Sequence, residues 1–251
     1  MPQQTIIKPN QNYLFPDPIN VGVISAFSRR RHKNMSLFYG DTRDSLNNRR
    51  YFLEGLGIDY RDLVCAKQVH DTKVSYVGPE DQGKGALYYD TAIDSTDALI
   101  TDKKNIPLAI FTADCLSIFL YDPKVPAIGL VHAGWRNTKE NITARTVQSM
   151  EGKFNTKPKD LYASFGPAIR GCCYEVGREF KQFFLPDLIE RGRHYYLDLV
   201  KINKKQVLDS GVREINIFDS KICTSCQNEG FFSYRKEGNS CGRMMSVMML
   251  R

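Results

Sequence analysis

Four short apolar runs follow one another closely in the middle of the chain, and they constrain its fold more than any other feature. The runs are DALIT (97–101), PLAIFT (107–112), LSIFLYD (116–122) and PAIGLVH (126–132). Runs of this length and composition, bounded by turn residues, are typical of β-strands. The sequence therefore predicts a protein built around a sheet, with the last of these strands ending at His132.

Strand and helix patterns are mixed along the rest of the chain. Further strands are predicted at residues 21–27, 63–69, 73–77, 161–166, 195–202, 215–218, 231–235 and 244–250. Helices are predicted at residues 40–57, 138–150, 176–184 and 203–211. The first helix has Asp41 to cap its start and Gly57 to end it. The strands at 63–69 and 73–77 are predicted to form a hairpin around His70, and the Gly-rich segment 78–90 is predicted to be a loop.

The order of these elements indicates one α/β domain rather than several. There is no internal repeat, no clean βαβ period and no Pro- or Ser-rich linker. We therefore expect residues 1–251 to form a single layered domain of mixed β-sheets flanked by helices. Residues 1–18 are interpreted as an N-terminal extension.

Composition restricts the cellular setting and the class of ligand. The N-terminus lacks a secretory pattern and the apolar runs are too short to span a bilayer, so we expect a cytoplasmic protein. Seven cysteines without an export signal indicate thiols rather than a disulfide framework. The net charge of +7 suits an anionic ligand, although an ordinary basic surface is the simpler explanation. No basic tract with interleaved aromatic residues indicates a nucleic-acid partner.

Three potential metal ligands occupy similar places in the predicted strands. His70, Cys115 and His132 each lie at, or just past, the carboxyl end of an apolar run. Two imidazoles and a thiolate suit zinc, and three protein ligands leave a fourth position for water or substrate. Their spacing alone matches no local metal motif. A buried cysteine, a turn histidine and a hydrogen-bonded histidine remain the alternative interpretation.

The sequence around these residues resembles a known family. Four segments resemble motifs of the YfiH family, also called the laccase-domain or polyphenol-oxidase family. They are KQVH (67–70), TADCLSI (112–118), HAGWRN (132–137) and GPAIRGCCYEVG (166–177). The segment NRRYFLEGLGID (48–59) resembles a helix near the N-terminus of the family's proteins. The segment FFSYRKEG…CGRM (231–244) resembles the family's C-terminal motif. The matches occur in the family's order, from about residue 20 to the C-terminus.

The resemblance implies a fold, a metal and a substrate class. It implies one α/β domain of layered mixed sheets, also found in bacterial toxin deamidases, and a zinc ion bound by His70, Cys115 and His132. Activities described for the family are purine nucleoside phosphorolysis, including that of methylthioadenosine, and adenosine deamination. The older name implies copper, but a multicopper laccase needs more imidazoles than the four histidines here provide.

Four further residues are candidates for catalysis or substrate binding. Asp114 precedes the proposed ligand thiol and could orient a ligand or a water, and Glu175 could move protons. Arg136 could contact an anion. Arg29, in FSRRRHKN (27–34), is the candidate equivalent of a family arginine, although the glycines that normally follow it are missing.

The remaining cysteines give a weaker indication of a metal or redox site. Cys223 and Cys226 form a CxxC motif, and the only other thiol near it in sequence is Cys241. Adjacent Cys172 and Cys173 would point in different directions in an extended chain, so we do not expect them to bind one ion together.

We therefore expect a zinc enzyme that processes purine nucleosides, by phosphorolysis, by deamination or by both. Its partners would be a nucleoside and phosphate, with no nucleic acid or membrane, and it would be a monomer or a small homo-oligomer. Four alternatives stay open. They are a zinc amidase acting on peptidoglycan precursors, a metal-free cysteine hydrolase with Cys115 as nucleophile and His132 or His70 as base, a copper oxidase, and a binding protein without catalysis.

Overall fold

The strands form three sheets in the computed structural model, which describes Phe15 and residues 19–251. The strands are β1 (Val23–Phe27), β2 (Val64–Cys65), β3 (Val74–Tyr76), β4 (Ala98–Thr101), β5 (Leu108–Thr112), β6 (Leu116–Asp122), β7 (Ala127–Ala133), β8 (Tyr162–Phe165), β9 (Glu175–Val176), β10 (Ile189–Arg191), β11 (His194–Tyr196), β12 (Ile217–Asp219) and β13 (Met244–Leu250). The helices are α1 (Thr42–Glu54), α2 (Trp135–Lys139), α3 (Ile142–Phe154), α4 (Lys181–Phe184), α5 (Leu199–Asp209) and α6 (Tyr234–Glu237).

Two large sheets pack face to face between helices. One has the strand order β1-β13-β5-β2, the other has the order β12-β8-β6-β7-β4-β3, and a small third sheet has the order β10-β11-β9. Apolar side chains fill the space between the two large sheets, a second cluster lies under α1, and a third lies under α3 and α5. The order of layers is therefore helix, sheet, sheet, helix, which confirms the predicted fold class of mixed sheets flanked by helices.

Complete burial of the central strands follows from this layering. Every residue of β6, β7 and β13 is buried, because each strand has a covered surface on both faces. A strand covered on both faces reads as a continuous apolar run rather than an alternating one. The four runs between residues 97 and 132 are thus the strands β4 to β7, as predicted.

The hairpin predicted around His70 is wrong. β2 pairs parallel with β5 in one sheet, and β3 pairs parallel with β4 in the other. The chain therefore crosses from one sheet to the other at His70. The apolar pattern identified both strands but could not identify their partners, because pairing depends on residues distant in sequence.

Three further predicted elements differ clearly from the structure. Residues 199–209 form a helix rather than the end of a strand, since the Asp198 carboxylate accepts hydrogen bonds from the N–H groups of Val200 and Lys201 and caps the helix. The predicted strand at 231–235 is absent, because residues 231–233 are irregular and Tyr234 begins α6. The predicted helix at 176–184 is a short 3₁₀ turn followed by the single turn α4.

The N-terminal extension expected at residues 1–18 lies outside the described residues, apart from Phe15. Among the described helices, none has the length and apolar character needed to cross a bilayer.

Arg49 is a buried cation that fixes the layer around α1. Its side chain is 1% exposed and donates hydrogen bonds to the carbonyl oxygens of Met35, Gly85 and Ala86. We expect Arg49→Met to lower the free energy of unfolding by about 3 kcal/mol or more, because it leaves buried carbonyl groups without donors. Urea unfolding measures this change. The exposed neighbour Arg50→Met, on the same helix, is the control and should change stability little.

Candidate metal centre

His70 is held in place by the carboxylate of Asp97. The residue has a left-handed φ of 63°, and the N–H groups of Val69, His70 and Asp71 all donate to Asp97, at 2.9–3.1 Å. Three donors on one buried carboxylate offset the cost of this turn conformation. The Nδ1 atom of His70 is buried and has no hydrogen-bond partner among the described residues.

Asp97 also positions the second histidine. His132 lies on β7, is 3% exposed, and its Nδ1 is 2.6 Å from Asp97 Oδ1. Its backbone N–H donates to the Asp97 carbonyl oxygen. With Nδ1 held by the carboxylate, Nε2 is the nitrogen left for a ligand, which is the usual arrangement of a metal-binding histidine.

The third residue, Cys115, follows a turn at Asp114 with a φ of 83° and precedes β6. Gly134 allows its close approach to His70. A side chain on Gly134 would put its Cβ 2.7 Å from His70 Nδ1 and 3.3 Å from Cys115 Sγ. Glycine at this position therefore leaves the space in which the imidazole and the thiol meet.

Donor atoms of His70, Cys115 and His132 all lie within 4.8 Å of one another. One thiol and two imidazoles at this separation fit a single zinc ion bound at about 2.0–2.3 Å from each donor. The unpartnered Nδ1 of His70 supports that fit, because a buried polar atom without a partner is costly and a cation would satisfy it.

The protonation of the two histidines differs strongly. Burial lowers the pKa of His70 to about 4, and the neighbouring His132 adds to that effect. Burial also opposes protonation of His132, but its hydrogen bonds to Asp97 and Cys115 outweigh burial and raise its pKa to about 9. Burial likewise opposes ionisation of Asp97, yet the bond to His132 keeps the pKa of that carboxyl below its usual range.

Asp114 faces the C-terminal segment. Its carboxylate accepts hydrogen bonds from the hydroxyls of Thr224 and Ser233 and from the N–H of Arg235, at 2.6–3.1 Å. Its backbone carbonyl accepts from the N–H of Ile169. Asp114 therefore ties two distant segments to the loop that carries Cys115.

Of the candidates Glu175, Arg29 and Arg136, the structure places only Arg136 beside the three proposed ligands. Glu175 is exposed and pairs with His194 Nδ1 at 2.7 Å, and the Arg29 guanidinium lies 5.7 Å from the ring centroid of Phe231. Neither residue lines the cavity above the three ligands, whereas Arg136 does.

That cavity has a volume of about 690 Å³ and contains both aromatic and cationic side chains. Its aromatic residues are Phe38, Tyr39, Tyr89, Phe111, Trp135, Tyr174 and Tyr234. Its arginines are Arg136, Arg235 and Arg243. A cavity of this size with a few convergent polar groups suits a small-molecule ligand.

Sequence reasoning missed two residues that organise this site. Asp97 holds both histidines, and its only sequence signal is a carboxylate at the start of an apolar strand. Gln68 forms two hydrogen bonds with the backbone of Phe111, which fasten the segment before His70 to β5. Gln68 lies within the KQVH motif, two residues before the proposed ligand His70.

Comparison with known proteins shows similarity over nearly the whole chain. The model of a family described as multi-copper polyphenol oxidoreductase laccase matches residues 22–251. Purine nucleoside phosphorylase YlmD of Geobacillus stearothermophilus is 36% identical over 225 residues, which cover 86% of this chain and 82% of that protein. Adenosine deaminase RL5, from an unknown prokaryotic organism, is 32% identical over 75% of both chains.

A solved structure has the same fold. The crystal structure of the Bacillus licheniformis hypothetical protein YfiH superimposes with a TM-score of 0.87 and 32% sequence identity. The superposition covers 91% of this chain and 93% of that one.

Proposed function

Because this chain belongs to the YfiH family of laccase-like proteins, we propose that it is a zinc-dependent enzyme that processes purine nucleosides. The reaction is phosphorolysis of adenosine, inosine or methylthioadenosine, deamination of adenosine, or both. One observation carries the proposal: two imidazoles and a thiol converge at the wall of a cavity that also contains aromatic rings and arginines. The names of the relatives, a phosphorylase and a deaminase, support the same substrate class.

His70, Cys115 and His132 would hold the zinc ion. A zinc ion with an open position supplies a Lewis acid and activates water near neutral pH. Asp97 fixes the tautomer and orientation of His132, and its bonds to the backbone fix His70. The site then needs little reorganisation when the ion and the substrate bind.

The cavity wall offers what a purine nucleoside and an anion require. Purine rings stack on aromatic side chains, and Trp135 and Tyr174 line the cavity beside the proposed ligands. Burial raises the pKa of Tyr174, so its phenol stays neutral and can donate a hydrogen bond. Arg136 stacks on Trp135, with its guanidinium carbon 4.4 Å from the ring centroid, and forms no ion pair with a described acidic residue. Its charge is thus available for phosphate.

Copper is a poorer fit to the histidines of this chain. The two histidines outside the site are His32, whose Nδ1 accepts the N–H of Arg29, and His194, which pairs with Glu175. A multicopper centre needs further imidazoles near the first set. The arrangement therefore favours a single ion at this site and chemistry other than oxidation.

A metal-free cysteine hydrolase is the second candidate, and one observation favours it. Asp97, His132 and Cys115 lie in series: Asp97 Oδ1 is 2.6 Å from His132 Nδ1, and Cys115 Sγ lies within 4.8 Å of a ring nitrogen of His132. In such a series a histidine activates the thiol and a carboxylate orients the histidine. His70 has no role in that mechanism, so a change of His70 distinguishes the two candidates.

The direct test is product analysis of the purified protein with adenosine, in the presence and absence of phosphate. Adenine plus ribose 1-phosphate, formed only with phosphate, indicates phosphorolysis, whereas inosine and ammonia in both samples indicate deamination. We expect one or both product sets, and their loss when zinc is removed by a chelator. Absence of both products from zinc-loaded protein would refute the proposal.

Arg136 provides a test of the phosphate site. We expect Arg136→Gln to raise the KM for phosphate about 10-fold or more, because it removes a charge-assisted hydrogen bond worth about 1.5–3 kcal/mol. Initial rates at varied phosphate measure the change. Arg178→Gln, an exposed arginine outside the cavity, is the matched control. An unchanged KM in the Arg136 variant would remove this residue from the phosphate site.

A further inference from the structure

A second group of potential metal ligands, made only of cysteines, lies outside the cavity that contains Cys115. The Sγ atoms of Cys172, Cys173, Cys223 and Cys226 all lie within 4.8 Å of one another. Cys226 Sγ is 3.5 Å from that of Cys172 and 3.3 Å from that of Cys173. We propose that these four cysteines, here called the four-thiol cluster, form a closed structural site for one zinc ion.

The local backbone brings the adjacent pair together. Residues 171–173 form a turn, in which the N–H groups of Cys173 and Tyr174 both donate to the carbonyl oxygen of Arg170. The expectation that Cys172 and Cys173 point in different directions is therefore wrong, because it assumed an extended chain. In a tight turn, neighbouring side chains can face the same point.

The CxxC motif supplies the other two sulfur atoms from a second turn. The N–H of Gln227 donates to the carbonyl oxygen of Cys223, which folds residues 223–227 back on themselves. Each of these sulfur atoms would bind the metal as a thiolate. Cys241, the thiol considered from sequence as a partner of this motif, lies elsewhere and contacts Glu237.

The distances fit one ion better than a disulfide or a larger cluster. Four sulfur atoms at about 2.3 Å from a tetrahedral zinc lie about 3.8 Å apart. The four Sγ atoms here all lie within 4.8 Å of one another, which agrees with that spacing. A disulfide requires about 2.05 Å, well below the separations at Cys226. Binding converts four thiols into thiolates and releases four protons, and four protein ligands leave no position for substrate.

The four-thiol cluster joins two segments that form the wall of the metal centre. Tyr174 and Ile169 line the cavity on either side of Cys172 and Cys173. Thr224, within the CxxC motif, donates its hydroxyl to Asp114 and its N–H to Ala168. A zinc ion here would therefore fasten residues 166–177 to residues 220–235, and so fix the wall without taking part in the reaction.

Metal analysis of the intact protein tests this site independently of nucleoside turnover. Purified under reducing conditions, the wild type should contain two zinc ions per chain. We expect Cys226→Ser and Cys172→Ser each to lose one, Cys115→Ser to lose the other, and the double variant Cys115→Ser/Cys226→Ser to lose both. Cys241→Ser, a buried thiol outside both sites, is the control and should keep both ions.

Cobalt substitution gives a second readout that does not depend on variant stability. Cobalt bound by four thiolates gives stronger sulfur-to-metal charge-transfer absorption than cobalt bound by one thiolate and two imidazoles. Wild-type protein and Cys115→Ser should both show the intense spectrum, and the Tm of Cys226→Ser should fall by several degrees. A wild type with only one zinc ion, which Cys115→Ser removes, would overturn the proposal. So would iron in place of zinc at the four-thiol cluster, or a disulfide there in wild-type protein purified under reducing conditions.

Discussion

Cys115→Ala is expected to lose one zinc ion per chain and all measurable nucleoside turnover. The thiolate is one of three proposed protein ligands, and two imidazoles alone hold zinc far less tightly at neutral pH. The remaining zinc should be that of the four-thiol cluster. Elemental analysis gives the metal content, and the adenosine assay gives the activity. Retention of full metal content in an inactive Cys115→Ala would favour the cysteine-nucleophile mechanism instead.

His70→Ala separates the two mechanisms further. A zinc enzyme loses the ion and its activity in this variant, whereas a hydrolase that uses Asp97, His132 and Cys115 retains turnover. We expect loss of both. For the Cys115→Ala variant, the control is Cys241→Ala, which removes a buried thiol that is not among the proposed ligands.

Asp97→Asn is expected to weaken zinc binding at the metal centre by about 10–100-fold, with a parallel fall in kcat/KM. The substitution keeps the shape of the side chain but removes the charge that His132 Nδ1 and three backbone N–H groups contact. An amide can also donate, which permits the wrong tautomer of His132. Competition with a metal-binding dye measures the affinity, and denaturant unfolding measures the accompanying loss of stability.

Asp71→Asn is the matched control for that change. Asp71 lies in the same turn, and its exposed carboxylate accepts only a local N–H, from Thr72, among the described hydrogen bonds. An amide oxygen can accept the same bond, so both affinity and rate should stay close to wild type. If Asp97→Asn and Asp71→Asn weakened zinc binding equally, negative charge near the turn, rather than the contacts of Asp97, would determine the zinc affinity.

The main elements of the fold could be predicted because their causes are local. β4 to β7 are continuous apolar runs, and α1 has an Asp41 side chain that accepts the N–H of Asp44 at its start. The prediction failed for β2 and β3, which join different sheets. It also failed at residues 199–202, where an apolar stretch typical of a strand follows the capping residue Asp198.

The candidate site shows the same division. Family motifs named His70, Cys115 and His132, and the structure brings their donor atoms within 4.8 Å. No motif indicated that Asp97 would hold both histidines. Nor did the spacing of Cys172 and Cys173 indicate that they meet a CxxC motif about 50 residues later.

The sequence by itself determined most of the segments that become strands and helices, and which residue types are available for chemistry. Both follow from short-range causes such as apolar runs, caps and turn residues. Only the tertiary structure decided which strands pair, which carboxylate holds the histidines and which thiols meet. Those contacts join residues from about 25 to 120 positions apart, and they depend on how two sheets pack. Packing is a property of the whole chain, because each buried surface must find a partner that no local pattern specifies.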